Sequence, residues 1–254
     1  MENVISDIIL MKDGVYMVQT NNYVFEMCVI HYGSTYTIKY GDATNREEGP
    51  CIEITYDTKR EHIARLDSVA YYERCSANKT LEKRHGTHEM LQTVLKILST
   101  NFPKIKRILF KDVSAFDCNG RKVWLSYYGL LVYGITWYEK HFAAKPLEPH
   151  IRDAVVTFKT LLLQKPKRGV FSFAKNIKNF ETWNEYFRSI KDCTYFLENM
   201  DSIERVSGVK LVYSDWYISV RKIADYKVDI LSVKSIKKKY GGGSIGLVVS
   251  DEPI

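Results

Sequence analysis

Apolar and polar residues alternate along the first third of the chain, which is the pattern of strands with one buried face. Residues 14–41 hold β-branched and aromatic runs, interrupted by Asn-Asn at 21–22 and Gly-Ser at 33–34, two signals for hairpin turns. Residues 50–57 and 62–75 continue the pattern, with the polar stretch "DTKRE" between them as a turn. The sequence therefore predicts antiparallel strands up to about residue 75.

The spacing of apolar residues then changes to a helical period. Residues 88–100 place their apolar side chains on one helical face, and "NFP" ends the helix because a residue before proline avoids helical backbone angles. The stretch "KIKRILFKDVS" predicts a strand at 105–112, and Asn119-Gly120 predicts a tight turn. The apolar positions of the helix are Met90, Leu91, Val94, Leu95 and Leu98.

After Pro146 the pattern is mainly helical, at 148–163 and 180–200. A β-like stretch, "GVKLVYSDWYISVRK", precedes a basic and glycine-rich tail. We therefore predict an α+β chain built on a mixed, mainly antiparallel sheet that is flanked by helices. Its domains would be residues 1–145, the α+β core, and residues 146–254, a mostly helical region that ends in the tail.

Charge narrows the class of partner. The net charge of +7 favours an acidic or phosphate-rich partner or a protein assembly. No apolar run approaches the roughly 20 residues of a membrane span, so none is predicted. The acidic N-terminal stretch "MENVISD" does not fit a secretory signal.

The five cysteines are scattered and form no CxxC pair. This usage predicts reduced thiols in a cytoplasmic-type reducing compartment. No metal site is predicted, because His85 and His88 stand three apart but no further cysteine or histidine pair of matching spacing completes a set of zinc ligands.

A glycine precedes the predicted helix in "KRHGTHEM", between a predicted strand and that helix. Strand, glycine turn and helix together can form an anion site, because free N–H groups and the helix dipole point at the anion. Lys83 and Arg84 would add positive charge, and Gly86 would let the backbone come close.

The layout resembles the GCN5-related N-acetyltransferases. In that family antiparallel strands precede a turn of the form Arg/Gln-x-x-Gly-x-Gly/Ala, a helix and another strand, and a later helix ends in "YEKxGF". In this chain Lys83 stands at the Arg/Gln position, Gly86 matches the first glycine and His88 replaces the second. The stretch "WYEKHF" matches the second motif at 138–140, lacks its glycine and has Phe142 one residue early. The resemblance covers roughly residues 50–145.

The resemblance implies an acetyl-CoA-dependent transferase that acylates an amine. Tyr138 would be the general acid for the leaving thiolate. The general base would be one of three acids on predicted strands, Glu53, Asp67 or Glu73, of which Glu73 is our named candidate. The implied contacts to the acetyl-CoA pyrophosphate come from residues around the turn, namely Lys83, Arg84, Gly86, Thr87 and His88.

Three interpretations stay open at this point, of which acyl transfer is the first. Gly86 and Thr87 also fit a plain helix start with Thr87 as N-cap, and Tyr138 also fits a core aromatic residue. The chain would then be a non-catalytic relative used in assembly. Since "YGITWYEKHF" also resembles uncharacterised acetyltransferase-like proteins of large DNA viruses, this role includes a minor virion component, placed in the virion or the host cytoplasm.

A third interpretation is nucleic-acid binding by the segment 165–178. It has five basic residues and no acid, and its phenylalanines could stack on bases. The candidate contacts are Lys165, Lys167, Arg168 and Lys175. Whether the chain is an enzyme is therefore left open by the sequence.

Overall fold

The computed structural model describes residues 13–42, 49–60, 62–82, 85–167, 177–209, 214–220 and 229–232. Backbone contacts divide the chain into two compact units: unit 1 is Met1–Ile108 with Val220–Ile254, and unit 2 is Leu109–Ser219. The domain boundary predicted after residue 145 stays a prediction.

The strands and helices follow one another in an order typical of an α+β fold, with five strands before the first α-helix. The strands are β1 (Gly14–Gln19), β2 (Val24–Tyr32), β3 (Thr35–Tyr40), β4 (Ile52–Asp57), β5 (Ile63–Val69), β6 (Arg107–Lys111), β7 (Ala115–Cys118), β8 (Arg121–Trp124), β9 (Lys145–Pro146), β10 (Asp215–Ser219) and β11 (Asp229–Ser232). The helices are α1 (His85–Asn101), α2 (Leu125–Tyr133), α3 (Trp137–Phe142), α4 (Pro149–Leu162), α5 (Trp183–Ser189) and α6 (Cys193–Ser207).

A large, mixed, mainly antiparallel sheet and several helices make up the fold, which confirms the coarse prediction. The finer prediction of a mostly helical C-terminal part is not confirmed. Beside α4, α5 and α6, the described residues after 145 also contain β9, β10 and β11.

Unit 1 is built on antiparallel strands in the order β11-β1-β2-β3-β4-β5. Alternation along β3, β4 and the first six residues of β2 buries every second residue, as the sequence pattern predicts. The opposite face carries threonine and charged residues, for example Lys39 opposite Glu53. One face of this sheet therefore belongs to the core of unit 1, and the other is polar.

Helix α1 supplies the helical part of that core. All five predicted apolar positions are buried, together with Thr93 and Ile97. The helix begins at His85, three residues before the predicted start. Helical hydrogen bonding begins even earlier, since the N–H of Gly86 donates to the carbonyl of Glu82. The apolar stripe marked the packed part of the helix rather than its first turn.

The strand predicted at 62–75 is shorter in the structure. β5 ends at Val69, and Glu73–Cys75 is a single 3-10 turn that the N–H of Cys75 closes on Tyr72. Glu73 therefore does not lie on a strand, which corrects the prediction. The side chain of Cys75 is buried and joined to Cys51, so a non-local covalent contact holds this stretch out of the sheet.

Four cysteines are paired. Cys51 is bonded to Cys75 in unit 1, with 5.9 Å between their Cα atoms, and Cys118 is bonded to Cys193 in unit 2, with 5.8 Å. Cys28 is the free cysteine of the described residues. These pairs differ from the expectation of five reduced thiols, because cysteine spacing carries no information on which residues meet in the fold. The cellular compartment stays a prediction.

Unit 2 contains the hairpin of β7 and β8 and the helices α2 to α6. The hairpin turns at Asn119 and Gly120, which both have positive φ, so the predicted tight turn is confirmed. The single helix predicted at 180–200 is two helices, because Asp192 caps α6 by accepting the N–H of Tyr195 at 2.6 Å.

None of the helices in the described ranges combines the length and the hydropathy that a membrane crossing requires.

Candidate functional site

Gly86, the glycine of the predicted cofactor turn, has no free N–H and no open space beside it. Gly86 is buried, and its N–H donates to the Glu82 carbonyl at 2.9 Å. A Cβ added at this residue would lie 2.5 Å from Cγ of Leu81. The expectation that this amide faces a groove is therefore wrong, because the amide is engaged and Leu81 fills the space beside it.

Two further residues of the turn lie within the helix. Thr87 and His88 lie inside α1 and are half-buried, so Thr87 is not the N-cap that the alternative interpretation predicted. Lys83 and Arg84 lie outside the described residues. The part of the turn that the structure describes does not fit the pyrophosphate of acetyl-CoA.

The carboxylate of Glu89, one turn into α1, is hydrogen-bonded to residues before β2. Glu89 accepts a hydrogen bond from the hydroxyl of Thr20 and another from the side-chain amide of Asn22 at 2.9 Å. These bonds fasten α1 to the turn between β1 and β2 within unit 1. Glu89 adds negative charge near the start of the helix, which disfavours a second anion there.

The second motif, "WYEKHF", forms helix α3, and local helix capping accounts for part of this sequence. Thr136 and Glu139 form a reciprocal capping box, in which the Thr136 hydroxyl accepts the Glu139 N–H and Glu139 accepts the Thr136 N–H. Glu139 also pairs with Lys159 of α4 at 2.7 Å. Ala143 ends the helix with φ of 50°, a backbone angle that glycine favours. Helix capping therefore explains Glu139 without any catalytic role.

Tyr138 lies in a buried cluster with two residues that follow β6. Its ring packs on Phe110 with 4.6 Å between the ring centroids, and its hydroxyl faces Ser114. Burial raises the pKa of the Tyr138 hydroxyl far above its usual range, and the charge of Asp112 raises it further. The phenol therefore stays protonated at neutral pH.

Asp112 is the ionisable partner in this cluster, and the sequence reading did not select it. The carboxyl is buried, and it accepts the backbone N–H of Ser114 at 3.2 Å. Burial raises the pKa of Asp112, while the hydrogen bonds from Ser114 lower it. The available signal was its position, an acid directly after the apolar strand stretch "RILFK". A buried carboxyl beside a neutral phenol is an arrangement suited to proton transfer.

Glu73, the named general base, is exposed in the 3-10 turn of unit 1, and its role as a base stays a prediction. Glu53 and Asp67 lie on β4 and β5, and Asp67 accepts a hydrogen bond from Thr55 at 2.7 Å.

The basic residues proposed for nucleic acid are only partly described. Lys165 is exposed and pairs with Glu181 at 3.1 Å, so part of its charge is already balanced. Lys167 is exposed. Arg168 and Lys175 lie outside the described residues, and nucleic-acid binding by this segment stays a prediction.

Metal ligands do not cluster in the described ranges, where no three histidine, cysteine or acidic side chains group closely enough to hold an ion.

Comparison with known proteins does not assign the chain to a family. No family model matches the sequence, no curated protein matches it, and no solved structure matches it.

Asp112 gives a pH-dependent prediction. Because its pKa is raised in the folded state, the folded state holds its proton to higher pH than the unfolded chain. Its contribution to stability is therefore present at low pH and is lost as the pH rises from the ordinary aspartate pKa through the raised one. We expect Asp112→Asn to be more stable relative to wild type at pH 7 than at pH 4.

Urea unfolding at both pH values measures this difference. Asp153→Asn is the matched control, since Asp153 is an exposed aspartate in the same unit. A stability difference between Asp112→Asn and wild type that does not change with pH contradicts the assigned burial effect.

Proposed function

We propose that this chain is a non-catalytic protein with an acetyltransferase-like order of elements, which works by binding partners in an assembly. The order supports the family resemblance: antiparallel strands β1 to β5 precede helix α1, strand β6 follows, and "WYEKHF" forms the later helix α3. A minor component of the virion of a large DNA virus is the form of this role that the resemblance of "YGITWYEKHF" favours.

One observation carries the non-catalytic part of the proposal, the closed helix start at Gly86. A cofactor turn needs free backbone N–H groups and open space beside the glycine. Here the N–H is bonded to Glu82, and Leu81 occupies the space. Leu81 is itself fixed, because its N–H donates to Glu73 and its carbonyl accepts the hydroxyl of Tyr71 at 2.6 Å.

The surface chemistry supports a binding role. In unit 2, a row of aromatic rings made of Phe116, Tyr128 and Tyr133 has centroid distances of 5.6 and 6.1 Å. Phe116 and Tyr133 are 38% and 60% exposed, so the row presents aromatic surface to solvent, with the guanidinium of Arg188 over the Tyr133 ring at 5.9 Å. Aromatic residues are enriched at protein interfaces, and the net charge of +7 favours an acidic or phosphate-rich partner.

A second candidate is the acetyl-CoA-dependent N-acyltransferase. The observation that favours it is the cluster of Asp112, Ser114 and Tyr138, which places a buried acid beside a protonated phenol. Tyr138 and Asp112 would then handle protons. The closed turn at Gly86 counts against this candidate.

Turnover of acetyl-CoA decides between the two candidates. The full chain is incubated with acetyl-CoA and a panel of primary amines, and released CoA is measured by mass spectrometry. We expect release no faster than without protein. Tyr138→Phe is the matched variant, because it keeps the ring against Phe110 and removes only the hydroxyl. Saturable turnover that falls roughly a hundredfold or more in Tyr138→Phe replaces our proposal with the transferase.

A further inference from the structure

Unit 1 contains a pocket whose lining includes neither Gly86 nor Leu81. It has a volume of about 500 Å³, within the range of roughly 300–1,000 Å³ that is usual for small-molecule sites. It lies between the residues that directly follow helix α1 and the tyrosines of β3 and β4. Its lining residues are His31, Gly33, Tyr36, Tyr56, Thr58, Phe102, Pro103 and Lys104.

The walls of the pocket are aromatic and held in place. Tyr36 of β3 and Tyr56 of β4 are directly opposite in the strand register, and Phe102 packs edge-on against both rings at 5.4 and 6.2 Å. All three side chains are at least 94% buried. Strand pairing and this edge-on packing therefore hold the three rings in place, and little of their own surface is left open to a ligand.

An exposed ring stands at the edge of these walls. His31 stacks on Tyr36 with 4.2 Å between the ring centroids and 13° between the ring planes. It lies opposite Tyr36 in the pairing of β2 with β3, so the strand register sets this stack. A flat ligand ring that enters the pocket meets an aromatic surface that is already ordered.

The mouth of the pocket is positively charged. Lys104 is exposed and makes no ion pair with any residue that the structure describes. A second basic residue, Lys106, is held beside Pro103 by a bond from its ammonium group to the Pro103 carbonyl at 3.1 Å. Charge at the mouth therefore favours an anion.

We propose that this pocket binds a mononucleotide, with the base stacked on the exposed ring of His31 at the edge of the aromatic walls and the phosphate at Lys104. Flat heteroaromatic rings stack on tyrosine, phenylalanine and histidine, and an ammonium group binds phosphate as a point charge. A purely apolar ligand would leave the charged mouth unused, and a free phosphate would leave the aromatic walls unused. The proposal is independent of acyl transfer, because none of the lining residues belongs to the cluster around Asp112.

Calorimetric titration of the full chain with AMP tests the proposal, with adenosine, inorganic phosphate and benzoate as comparison ligands. We expect saturable binding of AMP, and at least tenfold weaker binding of each comparison ligand. Removal of the stacked ring in His31→Ala is expected to weaken AMP binding roughly tenfold. Removal of the charge in Lys104→Ala is expected to weaken it roughly three- to tenfold.

Lys39→Ala is the matched control, because Lys39 is on the same strand as Tyr36 but on the opposite face of the sheet. His31 and Lys104 are exposed, so their variants are expected to keep the wild-type melting temperature. No saturable binding of AMP overturns the proposal, as does AMP binding that both pocket variants leave unchanged. Benzoate binding as tight as AMP overturns the nucleotide assignment, and binding of a single-stranded oligonucleotide without AMP binding replaces it with a nucleic-acid surface.

Discussion

Replacing Cys51 and Cys75 together by alanine is expected to lower the free energy of unfolding by about 3 kcal/mol. The disulfide closes a loop of 24 residues, and the chain-entropy model assigns a crosslink of this span a stabilisation of that size. Both cysteines are buried, and the pair holds the 3-10 turn at 73–75 against the start of β4. Denaturant unfolding without reductant measures the loss.

Cys28→Ala is the control for this experiment, since Cys28 is half-buried and free. Its expected effect is below about 1 kcal/mol, the scale of a small surface truncation. Thiol titration of the unfolded, unreduced chain gives a second check, with one reactive thiol expected instead of five. Five reactive thiols, together with an alanine variant as stable as wild type, contradict the pairing.

Gly86→Ala is expected to destabilise unit 1 by about 1–3 kcal/mol, the usual cost of overpacking a filled site. The direction is informative, because alanine inside a helix is normally about 1 kcal/mol more favourable than glycine. Here the added Cβ would lie 2.5 Å from Cγ of Leu81. Leu81 cannot easily move aside, since hydrogen bonds hold its N–H and its carbonyl. Thermal or urea unfolding measures the change.

A double-mutant cycle identifies the cause. In a Leu81→Ala background the obstructing Cγ is gone, so Gly86→Ala is expected to be neutral or to stabilise by up to about 1 kcal/mol. A cost of Gly86→Ala that is equal in both backgrounds excludes packing against Leu81 as the reason for glycine. The glycine would then have to be explained by its backbone or by a ligand.

Much of the local structure of this chain can be predicted from the sequence. Alternation with period two gives the strands β3 and β4 and the first six residues of β2, because each has one buried and one polar face, whereas β1 buries three consecutive residues at 16–18. The turn at Asn119-Gly120 is predicted because only a few residues accept its positive φ angles. The five-residue apolar stripe of α1 is predicted for the same kind of reason, since the helical period repeats within a few residues.

The sequence-based view of the candidate site was less complete. Tyr138 was selected from its motif and does lie in a buried polar cluster, yet its neighbour Asp112 was missed. Pairing of Asp112 with Tyr138 depends on how β6 and α3 pack, and no period in the sequence reports that. The match at Glu139 came from a capping box, a local feature that a functional motif and a plain helix start share.

Packing between distant residues decided the rest. The sequence places a glycine before a helix, but only the fold brings the side chain of Leu81 against Gly86 and so closes the turn. Likewise, the sequence contains the aromatic residues Tyr36, Tyr56 and Phe102, but strand register and the end of α1 turn them into the walls of one pocket. Local propensities act over a few residues, whereas burial, disulfide pairing and pocket shape depend on contacts between residues far apart in the chain.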